Sequence, residues 1–220
     1  LAQLEQQVLE ALIDQVIIEQ QAARLGLTIT ENELDAVLQA ELERSESLTS
    51  IESWLAANNL SDEELRDTLR RQLLANRLVE QVSRDLPETA AQAQVQYIRV
   101  TDEPTARGLV EQLKQGSDFD RLAEEYSIAE PGWNEIEQGW IAQGQGVLPA
   151  EVETIAFGLE PGQMNGPIFT PRGFYIIKLL NKEVERPISQ RMAQSLKQQI
   201  FLDWLAAQRS AATIERFVGW

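Results

Sequence analysis

The hydrophobic periodicity of this chain changes twice, and these changes constrain its fold class. From residue 1 to about residue 85, apolar residues recur at helical spacing. Near residue 90 the spacing becomes alternating, as in a β-strand, and after Pro187 it is helical again. This order predicts an α+β protein in which helical segments flank a mixed domain. The apolar helical positions of the first part are Leu4, Val8, Leu12, Val16, Leu34, Val37, Leu38, Leu65, Leu69, Leu73, Leu78 and Val82.

Helix boundaries in the first part are marked by a glycine and by capping boxes. Gly26 follows the first periodic run and predicts the end of a long first helix. In a capping box, a hydroxyl and a carboxylate three residues later satisfy backbone donors at a helix start. We predict two shorter helices and another long one, beginning at the pairs Thr30 and Glu33, Thr49 and Glu52, and Ser61 and Glu64.

The middle of the chain predicts a small α+β domain of β-α-α-loop-β-α-β-β order. Pro87 separates it from the helical part, and alternating apolar residues from Val95 to Val100 indicate its first strand. A glycine-rich loop interrupts the middle of the domain. The predicted elements after the first strand are helices at 103–115, 118–126 and 149–158 and strands at 166–169 and 173–180.

The segment after Pro187 is predicted to be a helix that cannot fold alone. An isolated helix of this length is marginal in water, so we expect its apolar face to pack on the N-terminal helices. The middle domain then becomes an insertion, and the expected boundaries are 1–88, 89–185 and 186–220. The apolar positions of the last helix are Met192, Leu196, Ile200, Trp204 and Leu205.

Composition excludes several classes of function. The chain has no Cys and no His, which excludes Cys/His zinc sites, thiol nucleophiles and Ser-His or Cys-His pairs. Its formal charge of −16 disfavours binding to nucleic acid or anionic lipid. No GxxxxGK[ST] loop occurs, so ATP and other cofactors are not expected. The absence of a long apolar run argues against a membrane span, while the start at Leu1 leaves open a signal or lipid anchor before it.

Several stretches, in order, resemble known foldases. Residues 8–38, 54–82 and 204–220 resemble the helical chaperone module of SurA- and PrsA-type extracytoplasmic foldases. The stretch "LVEQLKQGSDFDRLAEEYS", the pair "GW" at 139–140 and "EVETIAFGLEPGQMNGPIFTPRGFYIIKL" resemble the parvulin family of peptidyl-prolyl isomerases. The resemblance implies a chaperone module with an inserted parvulin-like βαααβαββ domain.

The polar residues of a parvulin site are changed in this sequence. Rotation about an X-Pro bond has a barrier of about 18–20 kcal/mol, because a partial double bond is twisted out of plane. The resemblance implies two histidines and a Cys or Asp at the site, and here Tyr97, Tyr175 and Ala129 take those positions. Thr170 keeps the hydroxyl expected before the second histidine. We therefore predict a degenerate catalytic centre at these four residues.

The substrate-binding wall that the resemblance implies is also altered. Leu148, Val152 and Ile141 stand where larger groups are usual, and Trp140 belongs to the recognisable "GW" pair. A smaller wall buries less of a proline ring, which weakens binding at about 25 cal/mol per Å². These four residues are the predicted substrate-binding set, either as groove lining or as core.

Two interpretations of the tyrosines remain open. In one, the rings fill the space of the lost imidazoles, and their hydroxyls bind each other or Thr170. In the other, the phenols assist amide twisting, since a phenol stays protonated up to about pH 10. Trp133, in a Pro-Gly loop, is either exposed for a client or packed as a staple of that loop.

These interpretations lead to three functional hypotheses. The first is an ATP-independent extracytoplasmic chaperone or foldase that binds unfolded, extended or proline-containing polypeptides. The second is an active prolyl isomerase with Tyr in place of His, and the third is a dedicated partner of one secretion or maturation system. The placement outside the cytoplasm follows from the resemblance, and dimerisation remains open.

Overall fold

The computed structural model describes residues 2–44, 55, 60–130, 133 and 139–215. It divides into two compact units, one formed by Leu1–Arg84 together with Ile200–Trp220 and the other by Asp85–Gln199. Among the described helices, none combines the length and apolar character needed to cross a bilayer.

The first unit is helical. It contains α1 (Ala2–Arg24), α2 (Glu31–Arg44) and α3 (Asp62–Val82). Gly26 ends the turn after α1 with φ of +70°, a conformation that glycine adopts without strain. The predicted capping boxes at α2 and α3 are confirmed by reciprocal bonds between Thr30 and Glu33 and between Ser61 and Glu64. The Thr49–Glu52 box lies outside the described residues.

The apolar stripe that identifies α1 as a helix is not its buried face. Leu4, Val8, Leu12 and Val16 are each about half exposed, at 61%, 52%, 52% and 49%. Ile17 is buried instead, at 6%. Helix α1 therefore leaves a row of four aliphatic side chains on its surface.

The second unit is built around a four-stranded antiparallel sheet in the order β2-β1-β4-β3. Its described elements follow the order β-α-α-β-α-β-β. They are β1 (Thr89–Val100), α4 (Glu103–Lys114), α5 (Phe119–Tyr126), β2 (Trp140–Ala142), α6 (Ala150–Gly158), β3 (Met164–Thr170) and β4 (Gly173–Pro187). The resemblance implies a third helix between β1 and β2, where residues 131, 132 and 134–138 lie outside the described range.

Each face of this sheet is covered by helices. On one face, β1 and β4 contribute Ile98, Val100 and Ile176, which pack against Leu109 of α4 and Leu122 of α5. On the other face, alternate residues of the same strands pack against α6. That second cluster comprises Ala93, Val95, Tyr97, Ile141, Leu148, Val152, Ala156, Leu159, Ile168, Tyr175, Ile177 and Leu179.

The last helix, α7 (Gln190–Ala211), is divided between the two units. In its first half, Met192 and Leu196 pack against Ala142 within the second unit. The prediction that residues 186–220 pack on the N-terminal helices is therefore wrong for this half, because a short apolar pattern does not show which partner it faces. In its second half, Arg209 binds Asp14 of α1 at 2.6 Å.

Candidate functional site

The structure brings Tyr97 and Tyr175 together on the α6 face of the sheet. In the β1–β4 register Tyr97 pairs with Ile177 and Arg99 with Tyr175, so the two tyrosines are diagonal neighbours on one face. Their ring centroids lie 6.2 Å apart, with the planes inclined at 39°. Tyr175 is fully buried and Tyr97 is 7% exposed.

A buried carboxylate, Glu130, binds both tyrosine side chains. The Tyr175 hydroxyl donates a hydrogen bond to Glu130 Oε1. The backbone N–H of Glu130 donates to the Tyr97 hydroxyl oxygen at 2.6 Å. The interpretation that the hydroxyls bind each other or Thr170 is therefore wrong, because a nearby carboxylate is the stronger acceptor for Tyr175.

Two arginines compensate the charge of Glu130. Arg172 Nη1 lies 2.8 Å from Oε2, and Arg99 Nε lies 3.1 Å from Oε1. The carboxylate is completely buried, whereas the Arg99 and Arg172 side chains are 15% and 48% exposed. A buried carboxylate without such partners would be strongly unfavourable, so the arginines make its burial possible.

Arg99 also fixes the backbone that carries Glu130. Its Nη2 donates to the Ala129 carbonyl at 2.9 Å and its Nε to the Ile128 carbonyl at 3.2 Å. The Ile128 N–H in turn donates to the Arg99 carbonyl at 2.9 Å. The segment after α5 is thus tied to the edge of β1, and this fixes the position of Glu130.

Both tyrosines are held in the protonated form. Burial, the hydrogen bond to Glu130 and the negative charge of that carboxylate raise the pKa of Tyr175. Burial also raises the pKa of Tyr97, more than the hydrogen bond from the Glu130 N–H lowers it. The phenols are therefore hydrogen-bonding groups and not bases at neutral pH.

Thr170 closes a turn and does not contact the tyrosine hydroxyls. Its Oγ1 donates to the Gly173 carbonyl at 3.0 Å and accepts from the Arg172 N–H at 3.1 Å. These bonds shape the β3–β4 turn that carries Arg172. Thr170 thus acts on the cluster only by positioning Arg172.

The expected Cys or Asp position is better filled by Glu130 than by Ala129. Ala129 is exposed and contributes its carbonyl, while the adjacent Glu130 provides the buried carboxylate. The sequence did contain a signal for Glu130, because it is a carboxylate one residue from the expected position and directly before Pro131. We refer to Tyr97, Arg99, Glu130, Arg172 and Tyr175 as the Glu130 cluster.

The four predicted substrate-binding residues are buried, and they do not form one surface. Ile141, Leu148 and Val152 are at most 2% exposed and belong to the core between α6 and the sheet. Trp140 precedes Ile141 in β2 and so faces the opposite side of the sheet. There the Arg186 guanidinium lies 4.1 Å from its ring centroid, a cation–π contact.

Trp133 packs on the site. Its ring meets Tyr97 edge-on, with centroids 4.6 Å apart and planes at 85°. The ring is partly buried against the α6 side of the core. Trp133 thus covers one side of Tyr97.

Both oxygens of the Glu130 carboxylate are engaged within the cluster. Each Glu130 oxygen is already bound, one by Tyr175 and Arg99 and the other by Arg172. Among the residues that the structure describes, no group of three acidic side chains is placed to hold a metal ion. A substrate amide would have to displace these bonds to reach the Glu130 carboxylate.

Comparison with known families identifies both parts of the chain. The SurA-like N-terminal domain matches residues 2–79, and the PPIC-type PPIase domain matches residues 88–181. This chain combines a SurA-like N-terminal domain with a PPIC-type PPIase domain. The Glu130 cluster lies within the PPIase domain.

Similar proteins carry the names of foldases and chaperones. Chaperone SurA of Pseudomonas fluorescens is 30% identical over 210 residues, which are 81% of this chain and 49% of that protein. Foldase protein PrsA of Geobacillus kaustophilus is 28% identical over 193 residues, 83% of this chain and 64% of that protein. The chain thus spans about half to two thirds of the length of these relatives.

A solved structure shares the fold. The crystal structure of the peptidylprolyl isomerase PrsA from Bacillus anthracis aligns with a TM-score of 0.63 at 21% identity. The alignment covers 95% of this chain and 100% of that one. This likeness supports the α+β architecture of a helical module with a PPIase domain.

Proposed function

We propose that this chain is a polypeptide-binding chaperone or foldase whose PPIase domain has a filled, non-catalytic centre. The SurA-like and PPIC-type domains, and relatives named chaperone and foldase, support the general class. Its clients are unfolded or extended polypeptides, bound without ATP. By the same resemblance we place it outside the cytoplasm.

One observation supports the loss of catalysis. The Glu130 carboxylate binds the Tyr175 hydroxyl and two arginines on the face of the sheet that carries both tyrosines. Isomerisation requires donors that are free to stabilise a twisted amide. Because the Tyr175 hydroxyl, Arg99 Nε and Arg172 Nη1 are directed at Glu130, these donors are not available to a substrate.

A combined assay tests this proposal. Cis-to-trans conversion of a proline peptide is followed with a coupled protease, and aggregation of an unfolded client is followed with the same preparation. We expect isomerisation at the buffer rate and suppression of client aggregation at micromolar protein. Clear rate acceleration that Tyr175→Phe abolishes would overturn the non-catalytic assignment, and absence of any aggregation suppression would overturn the chaperone assignment.

The second candidate is an isomerase that uses the tyrosines, and one observation favours it. Tyr97 and Tyr175 remain protonated and lie 6.2 Å apart on the face where a parvulin site is expected. If the tyrosines catalyse isomerisation, the wild type should exceed the buffer rate and the folded Y97F/Y175F variant should not. Equal rates for the two proteins count against the second candidate.

A further inference from the structure

A cavity lies beside the Glu130 cluster, and the side chains of that cluster do not fill it. It has a volume of about 580 Å³ and lies between α5 and the edge of β1. This volume is within the range of about 300–1,000 Å³ that is usual for ligand pockets. Its lining combines apolar and acidic groups, and this combination indicates the chemical class of its ligand.

Aromatic and aliphatic side chains form one side of the cavity. Tyr97, Trp133 and Val95 contribute to this lining. Tyr97 is 7% exposed and is partly covered by Trp133, so it offers the cavity only a small part of its ring. Val95 is also buried, so the apolar surface available to a hydrocarbon chain is mainly that of the partly exposed Trp133.

Helix α5 provides a wall with two carboxylates. Asp120 and Glu124 are four residues apart, so they lie on the same face of the helix, and both line the cavity. Asp120 accepts a hydrogen bond from Gln96 Nε2. Within the described part of the chain, Glu124 has no hydrogen-bond or ion-pair partner, and the lining contains no Lys or Arg.

We propose that this cavity binds a lysine or arginine side chain of an extended polypeptide. The aliphatic stem would lie mainly on Trp133 beside the exposed edge of Tyr97, and the cationic end would reach Asp120 and Glu124. A purely apolar side chain would gain nothing from the two carboxylates, and an acidic side chain would be repelled. The formal charge of −16 on the chain adds long-range attraction for basic segments.

This inference rests on the proposed polypeptide-binding function and specifies one class of client. It predicts a preference for basic residues next to apolar ones. Because the two carboxylates are exposed, the preference should be modest and should weaken with salt.

Peptide binding by the 220-residue chain tests the inference. The probe is a short labelled peptide of alternating Ser and Leu with one central Lys, and the matched probe has Gln in place of Lys. Fluorescence anisotropy should show binding of the Lys peptide about fivefold tighter at low salt. Equal affinity for the two peptides would overturn the inference without requiring any variant.

Two variants that remove the same charge test whether the preference for the Lys peptide arises at the cavity. D120N/E124Q should bind both peptides equally, whereas E125Q/E160Q removes the same charge at exposed positions outside the lining and should keep the preference. If both variants lose the preference for the Lys peptide equally, the preference is due to net charge, and the proposed site is wrong. If free lysine amide displaces the Lys peptide at equal concentration, the cavity binds lysine itself, and the claim that it recognises a polypeptide is wrong.

The outcomes separate the two proposals. Equal binding of both peptides, together with suppression of client aggregation, removes the basic-side-chain site and leaves the chaperone function intact. Failure to bind either peptide, without suppression of aggregation, contradicts both.

Discussion

Arg172 Nη1 lies 2.8 Å from Glu130 Oε2 and joins two parts of the PPIase domain that are 42 residues apart. Arg172 belongs to the β3–β4 turn, and Glu130 follows α5. The carboxylate is completely buried while the arginine is 48% exposed. The ion pair therefore links a partly hydrated cation to a dehydrated anion, and several measurable properties depend on it.

Removal of Glu130 should destabilise the protein. Glu130→Ala leaves Tyr175 and two arginines without their acceptor, and we expect a loss of about 2–3 kcal/mol in the free energy of unfolding. The value is below that for a fully buried pair because water can reach Arg172. Glu130→Gln keeps an acceptor for Tyr175 and should cost about 1–2 kcal/mol.

Urea unfolding measures these losses. Glu125→Gln, at an exposed position five residues earlier in the sequence, should change stability by less than about 0.5 kcal/mol and serves as the control. A Glu130→Ala variant as stable as this control would show that the cluster contributes no net stability.

Stability should fall at alkaline pH because of Tyr97 and Tyr175. Their pKa values are raised in the folded state, so above the ordinary tyrosine value near pH 10 the unfolded chain binds fewer protons than the folded chain. Their contribution is present below pH 10 and is lost as the pH rises through the raised values. The wild type should therefore lose stability more steeply above pH 10 than Y97F/Y175F.

This comparison uses unfolding curves at a series of pH values. Tyr126, whose pKa is also raised, is present in both proteins, so its effect cancels in the difference. Parallel pH profiles for the wild type and the double variant would contradict the raised pKa values.

Substitution by alanine should destabilise the protein to different extents at two glycines of similar backbone conformation. Gly139 has φ of +75°, and a Cβ there would lie 2.6 Å from the Val95 carbonyl oxygen. Gly144 has φ of +78° with no atom within 4 Å of such a Cβ. We expect Gly144→Ala to cost about 1–2 kcal/mol from backbone strain alone, and Gly139→Ala to cost at least about 1 kcal/mol more.

Thermal or urea unfolding of the two variants provides the comparison. Since the backbone strain is nearly the same, the difference reports the close approach of Gly139 to β1. Equal losses of stability in the two variants would mean that Gly139 does not approach the Val95 carbonyl closely in solution.

The exposed row on α1 should tolerate polar residues. V8Q/L12Q changes two half-exposed positions and should alter the free energy of unfolding by less than about 0.5 kcal/mol per site. Ile17→Ala, at a buried position of the same helix, should cost about 2–4 kcal/mol. If the double variant loses as much as Ile17→Ala, the row is covered in solution.

The helices and strands were largely predictable because their signals are local. Spacing of apolar residues and the Thr30 and Ser61 capping boxes depend on residues within one or two turns of each other. The buried face of α1 was not predictable, since Leu12 and Val16 belong to one apolar row and Ile13 and Ile17 to another. Only packing decides between two such rows.

The Glu130 cluster was predicted in part. The resemblance to parvulins placed Tyr97 and Tyr175 at one site, and the structure brings their rings together. The sequence did not reveal Glu130 and Arg172 as members of the cluster. These residues lie in a loop and a turn, where apolar residues do not recur at a regular spacing. Their pairing depends on a fold that joins positions distant in the chain.

The dense bonding of Glu130 also constrains how this domain can evolve. A substitution at Glu130 leaves two positive charges and a phenol to be accommodated, and a substitution at Arg99 or Arg172 leaves a buried anion less well compensated. Acceptable changes at these positions therefore have to occur in combination, and a lineage that replaced the cluster with a different polar centre would need several substitutions before any one of them was favourable.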